Sequence, residues 1–73
     1  MAYSKMSLGR VLGKIPCHQM VIVRDYLVKN EYVNNTVNYV IDKILDYNQE
    51  LRESEVYMIS IVENVLIIDI LVA

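Results

Sequence analysis

Apolar and polar positions alternate with clear helical spacing over residues 35–51. Val37, Val40, Ile41, Ile44, Leu45 and Leu51 recur at intervals of three and four, and Asn38, Asp42, Asp46, Gln49 and Glu50 lie opposite. This spacing predicts an amphipathic helix. Asn34-Asn35-Thr36 reads as its start, because each of these side chains can accept a bond from an orphan N–H. Upstream, residues 17–30 predict another helix, with Met20, Val21, Val23, Leu27 and Val28 in one broad arc broken by Arg24. Ile22 and Tyr26 fall on a different side, which implies two packing partners. Pro16 suits the first turn of that helix, where its missing N–H costs little. Residues 7–15 read as a short extended segment, since Ile15 precedes a proline and is pushed out of the helical region. Period two then places Leu8, Arg10, Leu12 and Lys14 on one face and Gly9, Val11, Gly13 and Ile15 on the other.

The last segment, residues 56–73, holds 14 apolar residues out of 18, interrupted by Ser60, Glu63, Asn64 and Asp69. A buried C-terminal helix over 54–72, capped by Ser54, is the expectation. The alternative is a hairpin of Val56–Val62 and Val65–Val72 turning at Glu63-Asn64, because Val and Ile favour strands. A membrane span is disfavoured, since Glu63 and Asp69 would each cost about 2.5–3.5 kcal/mol near the bilayer centre.

Composition narrows these elements to one small domain over 1–73, with residues 1–6 as a flexible arm. A chain of 73 residues buries only about 60 % of its unfolded surface, yet 55 % of its residues are apolar. Such a surplus points to burial against another chain. The single Cys excludes a disulfide framework, and one His with one Cys makes a structural zinc site unsupported. No cofactor is implied. Met1 to Lys14 lacks the apolar core of a secretory signal, so a cytoplasmic location is expected.

Charge changes the picture more than composition does. The net value of −2 divides unevenly along the chain. Residues 1–30 carry Lys5, Arg10, Lys14, Arg24 and Lys29 against Asp25 alone, a balance of +4. Residues 31–73 carry Lys43 and Arg52 against eight acidic residues, a balance of −6. A short basic arm on an acidic chain suits an anionic partner, with nucleic acid the usual candidate.

The order of basic strand, proline, helix, polar turn and helix resembles the ribbon-helix-helix family of dimeric DNA-binding proteins. The resemblance covers roughly residues 8–50. It rests on Arg10-Val11-Leu12-Gly13-Lys14-Ile15-Pro16, the apolar spacing from Met20 to Val28, Tyr32 before the turn, and Asn34-Asn35-Thr36 opening Val37–Leu45. The third segment is similar to a variant with an appended C-terminal helix found among archaeal viral proteins. The resemblance implies a mainly α fold with one short N-terminal strand, forming an intertwined homodimer. It also implies transcriptional regulation, as a repressor with an antiparallel ribbon in the major groove. Arg10, Leu12 and Lys14 would meet the bases, and Asn34, Asn35, Thr36 and Lys5 the phosphates. The dimer core would comprise Val11, Ile15, Met20, Val23, Leu27, Val37, Val40, Ile41, Ile44 and Leu45. For a viral chain the location would be the host cytoplasm. Two positions depart from the pattern: Leu12 is apolar where a polar reader is usual, and Gly13 is small where a core residue is expected.

A reading of another class is a helical interaction module whose apolar tail, residues 56–73, docks a protein partner as an antitoxin's tail engages its toxin. Peripheral membrane attachment is the weakest alternative. Cys17-His18 is the one pair suggestive of chemistry, but adjacent helical residues do not face each other. The set Asp42, Asp46, Glu50 and Glu53 reads as a solvated face without metal-loop spacing. No enzyme activity is expected.

Overall fold

The computed structural model describes residues 6–72. The elements run α1 (Leu8–Leu12), β1 (Met20–Asp25), β2 (Glu31–Thr36), α2 (Val37–Tyr39), α3 (Gln49–Arg52), β3 (Glu55–Val62) and β4 (Val65–Leu71). Beyond α2 the helix widens into a π turn over Val40–Ile44 and tightens to 3-10 over Leu45–Tyr47. The strands form one mixed sheet in the order β2-β1-β4-β3. Two antiparallel hairpins, β1–β2 and β3–β4, meet through a parallel β1–β4 pairing at the centre.

This sheet overturns the expectation of a mainly α fold with an N-terminal ribbon. Residues 7–15 are not a strand. Leu8, Val11 and Leu12 recur at three and four, all are buried, and Ser7 Oγ accepts from the Arg10 N–H at 3.3 Å as the cap of α1. Turn bonds carry the chain on toward Pro16, the Lys14 N–H donating to the Val11 carbonyl and the Ile15 N–H to the Leu12 carbonyl. Gly9 permits the stem of Arg52 to lie against α1, where a Cβ would come within 2.9 Å of Arg52 Cγ.

Residues 17–30 are not a helix. Met20-Val21-Ile22-Val23 is rich in β-branched residues, which lose χ1 freedom in a helix and pack well on a pleated surface. Val21 and Val23 are buried, while Ile22 and Arg24 point to the other face. Asp25 then ends the strand. Its Oδ1 accepts from the N–H groups of Leu27 (2.8 Å) and Val28 (3.2 Å), and its carbonyl accepts from the Lys29 N–H. Lys29 adopts φ 61°, which closes the loop into β2.

The expected helix over 35–51 starts later and breaks once. Asn34 and Asn35 belong to β2, and Thr36 alone caps α2, its Oγ1 accepting from the Tyr39 N–H at 3.3 Å. Asn48 interrupts the run and caps α3 by accepting from the Leu51 N–H at 3.0 Å. The expected helix over 54–72 is instead the hairpin β3–β4. Val62 pairs with Val65 across a two-residue turn, and Glu63 and Asn64 hold φ values of 50° and 68°. Positive φ at both central residues is what a tight hairpin turn requires. Nine β-branched residues in this segment decide the outcome against a helix.

One core forms within the single chain. Val21, Val23, Ile68 and Ile70 of the sheet pack against Leu8, Val11, Leu12, Val37, Val40, Leu45 and Leu51 from the helical side. Of the residues expected in a shared dimer core, Val11, Val23, Val37, Val40 and Leu45 are buried here, and Ile15, Ile41 and Ile44 pack at the margin. Met20 and Leu27 correct that expectation: both are exposed, Leu27 by 77 % at the tip of the β1–β2 loop.

Candidate functional site: the free edge of the C-terminal hairpin

Of the expected DNA-contacting residues among those described, Arg10, Lys14 and Asn34 are exposed. Leu12 is fully buried, so it cannot meet a base. Arg10 lies on α1 and Lys14 in the turn that follows, both exposed. Asn34 is exposed on β2, whereas Asn35 and Thr36 are half-buried at the junction with α2. The Asn35 side-chain Oδ1 accepts from the Thr36 N–H at 2.8 Å. Lys5 lies outside the described residues. Cys17 and His18 are exposed in a turn. Among the described residues no group of three or more His, Cys, Asp or Glu could hold a metal ion, and no helix is long and apolar enough to cross a membrane.

A different feature stands out, and it lies in the apolar tail. Strand β3 is an edge of the sheet with Tyr57, Met58, Ile59, Ile61 and Val62 all exposed, Ile61 by 63 %. The opposite edge, β2, carries Glu31, Asn34 and Asn35, and the β1–β2 ladder shifts register between Val23 and Arg24. Polar side chains and bulges are the usual protection of an edge, and beyond Met58 β3 has no bulge and only Ser60 as a polar side chain.

Which backbone groups are free follows from alternation along the strand. At its first end β3 is covered. The Val56 N–H donates outward to the Met6 carbonyl (2.9 Å), the Leu8 N–H donates to the Ser54 carbonyl (2.9 Å), and Ser7 bridges Glu55. Val56 therefore points its backbone groups away from β4 while its side chain faces the helical side. The ladder shifts between Val56 and Met58, after which Ile59 and Ile61 take the helical side, opposite Ile68 and Leu66. Side-chain face and hydrogen-bonding direction are coupled in a strand, so the N–H and C=O groups of Ile59 and Ile61 point outward. Tyr26 N–H donating to Ile70 C=O (2.9 Å), on the β1 side, agrees with this assignment. Along the same edge runs an open groove of about 720 Å³ lined by Met6, Val11 and Glu55 to Ile59.

Tyrosines and charged groups pair across the sheet. Tyr57 stacks on Tyr26 with ring centroids 4.1 Å apart, and Lys29 Nζ sits 4.4 Å from the Tyr26 ring centre. Hydrogen bonding with Tyr26, its nearby charge and partial burial push the Tyr57 hydroxyl above the ordinary tyrosine value. Burial, aided by the charge of Asp25 and a 3.3 Å hydrogen bond to it, raises Tyr32 likewise. On the open face, Arg24 Nε lies 2.5 Å from Asp69 Oδ1. That bond leads the causes holding the Arg24 guanidinium above its usual value.

Compared with protein-family models, curated proteins and solved structures, the chain matches none. The site therefore has to be read from its own geometry. Sequence reasoning located the apolar surplus but placed it on a helix. The β-branched richness and the Glu63-Asn64 turn were the signals for a strand hairpin there.

Proposed function

We propose that the chain is a protein-docking module that accepts an added β-strand along residues 57–62. One observation carries this reading: the outer half of β3 presents outward backbone groups at Ile59 and Ile61 that have no partner among the described residues, beneath a row of exposed apolar side chains. Strand addition draws affinity from main-chain bonds and specificity from the side chains alternating along the edge. The apolar surplus noted in the sequence is thereby assigned to an interface rather than to a larger core.

A soluble strand probe tests it. A lysine-flanked peptide with the sequence of residues 55–62 should slow amide exchange at Ile59 and Ile61 when added to dilute protein, and a scrambled peptide should not. Amides at these two positions that exchange fast with and without the probe refute the reading.

The charge division supports a second reading, duplex DNA binding. Arg10 and Lys14 are exposed, four residues apart, and among the described residues neither is paired with a carboxylate. Affinity for DNA should then fall with salt at a slope near −0.9 per phosphate neutralised, measured by fluorescence anisotropy. Joint Arg10→Ala and Lys14→Ala substitution should reduce that slope by about 2. Binding without salt dependence, or unaffected by the two substitutions, rejects this second role.

A further inference from the structure

We infer that the strand added at this edge is β3 of a second copy of the chain, running antiparallel, with a two-fold axis at Ser60. The inference rests on the strand-addition reading above. It goes further by naming the partner and the register.

Symmetry limits the choices. Two antiparallel copies related by an axis through the sheet keep their faces, so a residue meets one on the same face of its partner. The axis must therefore pass through a residue. An axis at Ser60 sets Ile59 opposite the partner's Ile61, and Ile61 opposite the partner's Ile59. Each of these is a hydrogen-bonded pair exchanging two bonds, so all four outward backbone groups of each copy's Ile59 and Ile61 are satisfied.

The neighbouring registers fail. An axis at Ile59 brings Ile61 opposite the partner's Val56, the next outward-facing position across the bulge, whose N–H is already donated to the Met6 carbonyl. An axis at Ile61 sets Ile59 against the partner's Glu63, whose φ of 50° has already left the strand. The Ser60 axis places Met58 against the partner's Val62 and Ser60 against the partner's Ser60, with no charge facing a like charge.

The ends of the edge agree with one copy of itself as occupant. Met6 to Leu8 cover one end and the Glu63-Asn64 turn closes the other. The joined sheet has eight strands, with the polar β2 at both outer edges, so assembly closes at the dimer.

Cysteine cross-linking in the full chain, with Cys17→Ser to remove the exposed thiol, tests the register. Ser60→Cys should oxidise to a covalent dimer, because directly opposed residues at a non-hydrogen-bonded position have Cα atoms about 4.5 Å apart, within disulfide reach. Met58→Cys alone should not, as its equivalent in the partner lies roughly 14 Å away along the strand. Met58→Cys combined with Val62→Cys should cross-link. Sedimentation should show a dimer for the unmodified chain and a monomer for Ile59→Lys with Ile61→Lys, both exposed positions whose change leaves the core intact. A chain monomeric at every concentration overturns the inference, even where the strand probe protects the edge. A dimer that cross-links through Ile59→Cys or Ile61→Cys, and not through Ser60→Cys, overturns the register. A dimer that survives both lysines overturns the inference and places the contact elsewhere.

Discussion

Ile68→Ala should destabilise the fold by about 2–5 kcal/mol, read as the midpoint of denaturant unfolding. Ile68 is fully buried on β4, paired with Val23 on one side and Ile59 on the other. It therefore touches both hairpins at the place where the parallel pairing joins them. Truncation leaves a cavity between sheet and helices that neither hairpin can fill without breaking its own register. A chain of 73 residues is expected to hold roughly 4–11 kcal/mol in total, so this one substitution removes a large share. Each kcal/mol lowers the thermal midpoint of a domain this size by roughly 4–8 °C. The neighbouring Ile67→Ala is the control. Ile67 lies on the opposite face, half-buried and away from the helices, and its loss should be much smaller. Equal losses at the two positions would contradict a sheet covered on one face.

The same alternation explains what the sequence disclosed. Helical spacing at Val37, Val40 and Leu45 was legible and these residues are buried, because a polar face opposite them left one orientation favourable. Thr36 was legible as part of a cap, and the Glu63-Asn64 turn as the pivot of the alternative hairpin. Two other segments misled. Residues 20–24 can be drawn on a helical wheel, but the wheel had to tolerate Arg24 inside its apolar arc. In a strand Arg24 falls beside Asp69, on the face opposite Val21 and Val23. Leu8, Val11, Leu12 and Ile15 follow helical spacing more closely than the period-two assignment, which was driven by Pro16 and the two glycines. The free edge was not legible because it depends on strand order. Nothing local to residues 55–62 says whether β3 or β4 takes the centre of the sheet. The partner that settles it, β1, lies more than thirty residues upstream.

Arg24→Met should lower the thermal midpoint by an amount comparable with the Ile68 cavity, whereas Arg24→Met joined with Asp69→Val should bring it back. Asp69 is 1 % exposed, and Arg24 is its one ion-pair partner among the described residues. Removing Arg24 leaves the buried carboxylate of Asp69 without a compensating charge. A stranded buried charge is among the few single changes with a large cost. Replacing both partners removes the charge and its desolvation together, which is why the double variant should recover. The pair does more than offset itself. Arg24 and Asp69 are directly matched in the parallel β1–β4 ladder, and a slip of one residue would turn Asp69 into the apolar core. The ion pair therefore fixes the register between two hairpins whose other matched positions, Asp25 at the strand end apart, are aliphatic. Calorimetry on the single and double variants measures the first effect. The second should show as broadened or doubled amide resonances for β1 and β4 in the double variant, where Val and Met no longer distinguish one register from the next. Single sharp resonances there would assign the register to packing alone.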